Sequence, residues 1–95
     1  MITHADIMKI HKWVKTVKGR ITFIFEGYRY RLVINRFIHA EDEEGKTIEW
    51  SRAFGSQLPH QVLSSFKIKR IIVKREDREY VFKSLKELLK FKPSV

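Results

Sequence analysis

The chain predicts an α+β domain in which a five-stranded antiparallel sheet carries its helices on one face, with elements in the order α-β-β-β-α-β-β-α. Three observations carry this expectation. The stretch from Ile21 to Phe54 is dense in β-branched and aromatic residues and is punctuated by Gly27 and Gly45, as a meander of strands requires. A pattern of helical period precedes it over residues 3–18. A second alternating pair, 67–75 and 80–82, leads into a helix start at Ser84. Ninety-five residues, 43% of them hydrophobic, suffice for one domain (1–95) with its own core.

Taken in order, the first helix is capped by Thr3, with Asp6 three residues on as its capping-box partner. Ile7, Ile10, Val14 and Val17, with Trp13 alongside, form an apolar stripe. Lys9, Lys12, Lys15 and Lys18 cover the other side, and Gly19 is expected to end the helix as its C-cap.

The meander is constrained by register. A turn at Gly27-Tyr28 pairs Phe25 with Tyr30, Phe23 with Leu32 and Ile21 with Ile34, which gathers the apolar side chains on one face. At the second turn, a three-residue loop Glu43-Glu44-Gly45 with Gly in the left-handed position pairs Ala40 with Ile48 and Ile38 with Trp50. It also sets Ile34 opposite Phe54. This scheme has one defect, because Arg36 then opposes Arg52 on the apolar face, and like charges directly opposed are destabilising. The other face would hold Arg29, Arg31, Val33, Asn35, Phe37 and His39, a mixture suited to docking a partner.

After Gly55, the spacing of Leu58, Val62 and Phe66, with Pro59 in the first turn, predicts a short helix over 58–65. The strand 67–75 then returns through a turn at Glu76–Glu79, with Val73 opposite Phe82 and Arg75 opposite Tyr80. Ser84 and Glu87 cap a last helix with Leu85, Leu88 and Leu89 on one side, and Pro93 is expected to stop it.

With no cysteine, disulfides and thiolate chemistry are excluded. No apolar run approaches the roughly eighteen residues of a membrane span, and no secretory pattern opens the chain. The expected setting is cytoplasmic, without a membrane partner, and a homodimer is one way to offset small size. His4, His11, His39 and His60 lack ligand spacing, and the acidic run Glu41–Glu44 lacks the form of a calcium loop, so neither metal nor cofactor is expected. Ser51, Ser56, Ser64, Ser65 and Ser84 have no nucleophile-elbow context, and the isolated glycines make no phosphate loop.

Charge is what remains. The formal net charge is +9, distributed as +6 over residues 1–39, −4 over 40–49, +6 over 50–75 and +1 over 76–95. Acid is thus concentrated in two turns, and such segregation gives a directional field. The reading that follows is a small basic protein binding DNA or RNA through backbone and shape rather than base identity. Its candidate contacts are Lys9, Lys12, Lys15 and Lys18 on the helix, and Arg29, Arg31, Arg36 and Arg52 from the meander. Lys67, Lys69, Arg70, Lys74 and Arg75 come from the fourth strand, and Tyr28, Tyr30 and Trp50 are the candidate aromatic contacts. The signatures of an RRM, a GXXG loop, a zinc finger or a helix-turn-helix are lacking. The alternative is a protein-interaction module, a small regulator or inhibitor docking on the acidic surface of a larger protein. A third reading is a metal-independent RNase using His39, Arg36, Arg52 and Glu49, with His39 and Glu49 as an acid–base pair. Binding, rather than catalysis, is the expectation.

Overall fold

Thr3 caps helix α1 (His4–Val17) through a complete capping box. The Thr3 Oγ1 accepts the Asp6 N–H at 3.2 Å, and the Asp6 carboxylate accepts the Thr3 N–H at 2.9 Å. These bonds to Thr3 backbone and side chain hold the Asp6 carboxyl below its ordinary value. Ile7, Ile10 and Val14 are buried as the stripe requires. The cap at the other end is not Gly19 but Lys18, in the left-handed region at φ 53°. Gly19 has a different reason to be glycine: a Cβ there would sit 3.0 Å from the Lys74 carbonyl oxygen. Only a bare backbone lets α1 hand over to the sheet this closely.

The computed structural model describes residues 2–91 of the chain. Its strands are β1 (Arg20–Phe25), β2 (Arg31–Ile34), β3 (Ile38–Glu41), β4 (Thr47–Ile48), β5 (Ile68–Arg75) and β6 (Arg78–Phe82). They form one antiparallel sheet in the order β4-β3-β2-β1-β5-β6. Helical segments α2 (Trp50–Phe54, a single turn), α3 (Pro59–Ser65) and α4 (Leu85–Phe91) complete the described residues. Pro93, the expected stop of α4, lies outside them.

Six strands replace the five expected, and the reason is Asn35. Its side-chain Oδ1 accepts the Phe37 N–H at 2.9 Å, and its own N–H donates to the Phe37 carbonyl at 3.0 Å. This local side-chain turn competes successfully with the ladder. The expected long second strand therefore folds back on itself as β2 and β3, with Ile34 opposite Ile38 and Leu32 opposite Ala40. Arg36 sits at the tip of that hairpin and Arg52 in α2, so the opposed arginines never meet. The pairs Ile38–Trp50 and Ile34–Phe54 do not form either, since residues 50–54 are helical and bury Ala53 and Phe54.

Much of the expected register holds. Ile21–Ile34 and Phe23–Leu32 pair as predicted, but that ladder ends there, short of the expected Phe25–Tyr30 pair; on the other edge of β1, Phe25 meets Ile68 of β5. Ala40 pairs with Ile48, and Gly45 takes φ 85° as the three-residue loop demands. The β5–β6 hairpin is tighter than expected: Arg75 pairs with Arg78 and Val73 with Tyr80, a slip of two residues. A two-residue slip leaves every side chain on its face, so the apolar pattern could not report it.

The buried residues of all the helical segments join Ile21, Phe23, Leu32, Ile34, Ala40, Ile71 and Val73 in one cluster. The helices thus cover a single face of the sheet. Two buried apolar residues, Ile24 and Val33, fall outside that cluster and belong to the other face.

Candidate functional site

Directly opposed residues of an antiparallel ladder share a face, so the registers define what the uncovered face carries. Its middle row is His39, Val33, Thr22, Ile72 and Val81. To one side lie Thr47, Glu41 and Arg31, with Ile24 and Arg70; to the other lie Arg20, Lys74 and Glu79.

The His39 end of this face is organised by Glu41, whose side chain is only 7% exposed. One carboxylate oxygen accepts from the Arg20 guanidinium, and the other faces the His39 Nε2 at 2.7 Å. Burying a carboxylate is costly unless it is paired and hydrogen-bonded, and these two groups satisfy it. To reach from β1 to β3, the Arg20 side chain passes over β2, and Val33 beneath is fully buried. The stem of an arginine can cover apolar surface while its head pairs. The other His39 nitrogen, Nδ1, faces the Phe37 carbonyl at 3.3 Å. Both ring nitrogens therefore have partners within the protein, and the carboxylate beside His39 is Glu41 rather than Glu49. A shallow depression of about 470 Å³ lies over this network, lined by Arg20, Asn35, Phe37, His39, Glu41 and Thr47. Phe37 stands at its edge and is 67% exposed, the most exposed large apolar side chain among the described residues.

The structure distributes the sequence-derived candidates unevenly. Arg31, Arg70 and Lys74 share the open face, the first two on one side of its middle row and Lys74 on the other. Lys15, Lys18 and Arg36 meet at a cleft between the end of α1 and the β2–β3 hairpin. The hairpin is tied to α1 there, because the His11 Nε2 donates to the Arg36 carbonyl at 3.0 Å. Lys9 and Lys12 lie exposed further back along α1, and Arg52 is exposed on α2. Lys69 is the extra residue of a bulge where β5 passes Phe25. Arg75 sits at the hairpin end of β5, on the helix side by register.

Two candidates are matched by carboxylates. Lys67 pairs with Glu26 at 3.3 Å, and Arg29 with Glu43 at 3.1 Å. Glu43 first, then Tyr30, raises the Arg29 guanidinium above its ordinary pKa.

The three aromatic candidates are half-buried in a ring cluster on the helix side. Tyr28 packs on Phe66 with centroids 4.7 Å apart and donates its hydroxyl to the Ala53 carbonyl. Tyr30 packs edge-on against Tyr28 at 5.7 Å. Trp50 donates Nε1–H to the Gln57 carbonyl at 2.7 Å and packs on Phe54. Sequence reasoning missed Arg20 and Glu41 as a site; it set Phe37 on the docking face but did not count it among the aromatic contacts. The signal that could have found Phe37 was Asn35, which marks a turn and so lifts Phe37 out of a strand.

Among the described residues, no group of three or more His, Cys, Asp or Glu is arranged to hold a metal ion, and no helix is long and apolar enough to cross a membrane. No family model, curated protein or solved structure matches the chain at a significant level.

Proposed function

We propose that this protein binds single-stranded nucleic acid across the open face of its sheet, through backbone charge and base stacking rather than base identity. The observation that carries the reading is the composition of that face. Arg31, Arg70 and Lys74 flank a row that carries Val33, Thr22, Ile72 and Val81, with the Glu41-paired Arg20 beside them and an exposed phenyl ring at the edge. Lysine and arginine side chains neutralise phosphates and release counterions. A ring free on one side offers a stacking platform that every base can use. Of the two carboxylates on the face, Glu41 is already engaged by Arg20 and His39. An unpaired strand suits a broad sheet face better than a duplex, whose bases are not available to stack.

The test is fluorescence anisotropy with short labelled oligonucleotides, single-stranded and duplex, titrated from low to moderate salt. Single strands are expected to bind more tightly than duplex, with an affinity that falls steeply as salt rises. Affinity indifferent to salt, or no binding at low salt, overturns the reading.

A second reading draws on one observation. Val81 is 57% exposed on β6, the edge strand, and continues the uncharged row of Ile72 and Thr22. An apolar strip with a basic rim also suits an acidic protein partner. Failure of every oligonucleotide to bind would leave this reading standing. The RNase reading draws less support, because both nitrogens of His39 face protein acceptors and neither is directed at open space.

A further inference from the structure

The cleft at the end of α1 is separate from the open face, yet the two adjoin. It has a volume of about 510 Å³ and is lined by Val14, Lys15, Lys18, Gly19, Asn35 and Arg36. Three of its six lining residues are cationic, none is acidic, and none of the three cations makes an ion pair among the described residues. Asn35 lines both this cleft and the depression on the open face, so the β2–β3 turn is the ridge between them.

The backbone at Lys18 helps to build the cleft. Its φ of 53° is left-handed, a position that glycine or asparagine fills with less strain. Lysine holds it instead, with Gly19 one residue later committed to the close approach to β5. The left-handed turn brings Lys18 into the lining of the cleft beside Lys15 and Arg36. The helix end itself opposes an anion, with about half a negative charge from its dipole. That end is already capped: the Lys18 N–H donates to the Lys15 carbonyl at 3.3 Å, and the Gly19 N–H to the Val14 carbonyl at 2.9 Å. Three full positive charges outweigh what remains.

The geometry points to a phosphate site: this cleft takes a phosphate monoester, and its source is the end of a nucleic-acid strand lying on the open face. An internal phosphodiester carries one charge and must continue in both directions. A terminal monoester approaches two charges and can end in a recess, which suits a cleft lined by three cations and no acid. The strand-end part of this inference rests on the sheet-face reading; the phosphate chemistry of the cleft does not.

Two measurements separate them. In the first, inorganic phosphate replaces chloride at constant ionic strength while the backbone amide resonances of Lys18, Gly19, Asn35 and Arg36 are followed in isotope-labelled protein. Saturable shifts are expected in the native protein and not in Lys18→Gly or Arg36→Gln. In the second, oligonucleotides of one sequence with a phosphate at either end, or hydroxyls at both, are compared by anisotropy. One end-phosphorylated form is expected to bind about tenfold more tightly than the hydroxyl form, and each variant to collapse that ratio towards one. Lys18→Gly should unfold at the same or a higher temperature than the native protein, because glycine suits the backbone there, so loss of binding cannot be put down to misfolding. Equal affinity for all ends with unmoved amides overturns the inference, while salt-dependent binding of the same strands would leave the sheet-face reading intact. Shifted amides with no oligonucleotide bound overturn the sheet-face reading and the strand-end source, and leave a site for free phosphate.

Discussion

Replacing Glu41 with glutamine should make the protein less stable and a better nucleic-acid binder, two effects of opposite benefit from one lost charge. The carboxylate is 7% exposed, whereas its Arg20 partner is 38% exposed. Removing one member of a deeply buried pair costs roughly 3–5 kcal/mol, and an exposed pair is worth at most about 1 kcal/mol. The solvent access of Arg20 screens the interaction, and glutamine keeps one acceptor, so the expected loss is about 1–2 kcal/mol. For a domain of this length that lowers the thermal midpoint by roughly 5–10 °C. Binding moves the other way. The formal net charge of +9 rises by one, and the Arg20 guanidinium, released from its carboxylate, becomes free to meet a phosphate. One extra contact on a single strand steepens the dependence of log K on log salt by about 0.7, which is roughly a fivefold gain near 0.1 M salt. Calorimetry or thermal circular dichroism reads the first effect, and anisotropy over a salt series reads the second. Glu44→Gln is the control: it adds the same charge at the exposed tip of the β3–β4 turn, where Glu44 makes no ion pair with Arg20. If Glu41→Gln lowers the midpoint but leaves the salt slope unchanged, or if Glu44→Gln steepens it equally, Arg20 is not at the interface and the sheet-face reading loses its anchor.

Other perturbations test neighbouring parts of the reasoning. Phe37→Ala should alter stability by no more than about 0.5 kcal/mol, since the ring is largely exposed, yet weaken single-strand binding by about 1–3 kcal/mol, measured by the same anisotropy. Gly19→Ala should destabilise the fold by about 1–3 kcal/mol, because its Cβ would lie 3.0 Å from the Lys74 carbonyl oxygen and 3.3 Å from the Val17 Cγ2. That loss exceeds the roughly 0.4–1 kcal/mol that such a change gains through the unfolded chain, so an unshifted urea midpoint would contradict the close approach. Acid should loosen the β3–β4 turn. The Asp42 carboxylate accepts the Lys46 N–H at 3.0 Å and the Glu44 N–H at 2.9 Å, and these bonds, Lys46 foremost, hold its pKa below 3.8. A group depressed in the folded state stabilises above its unfolded pKa and loses that contribution as pH falls through the folded one. The urea midpoint should therefore hold steady above about pH 4 and fall below it, and Asp42→Asn should flatten part of that fall. An acid limb identical in the variant would refute the assignment.

Local order was written plainly in the residues wherever neighbours in sequence are neighbours in space. The capping box of Thr3 and Asp6, the pairs Ile21–Ile34, Phe23–Leu32 and Ala40–Ile48, and the helix after Pro59 were all legible from spacing and turn chemistry. The clash of Arg36 with Arg52 was legible too, as a defect in the expected pairing, but its cause was not. What went unseen was the competing local bond: Asn35 closing its own turn split one expected strand into two. The slip in the β5–β6 hairpin escaped for another reason, since alternation of period two is blind to a shift of two.

From the amino-acid order alone came the class of the fold, which side chains face inward along β1 and β2, and the concentration of acid in turns. Each depends on short-range geometry, either the pleat of a strand or the pitch of a helix. Only the folded chain decided that β1 lies against β5, that Arg20 reaches over Val33 to Glu41, and that Lys18 and Arg36 share a cleft. Periodicity says which way a residue points but not which distant strand will stand beside it. That choice is made by the joint burial of the core, after long loops have been closed, and no single segment carries the information.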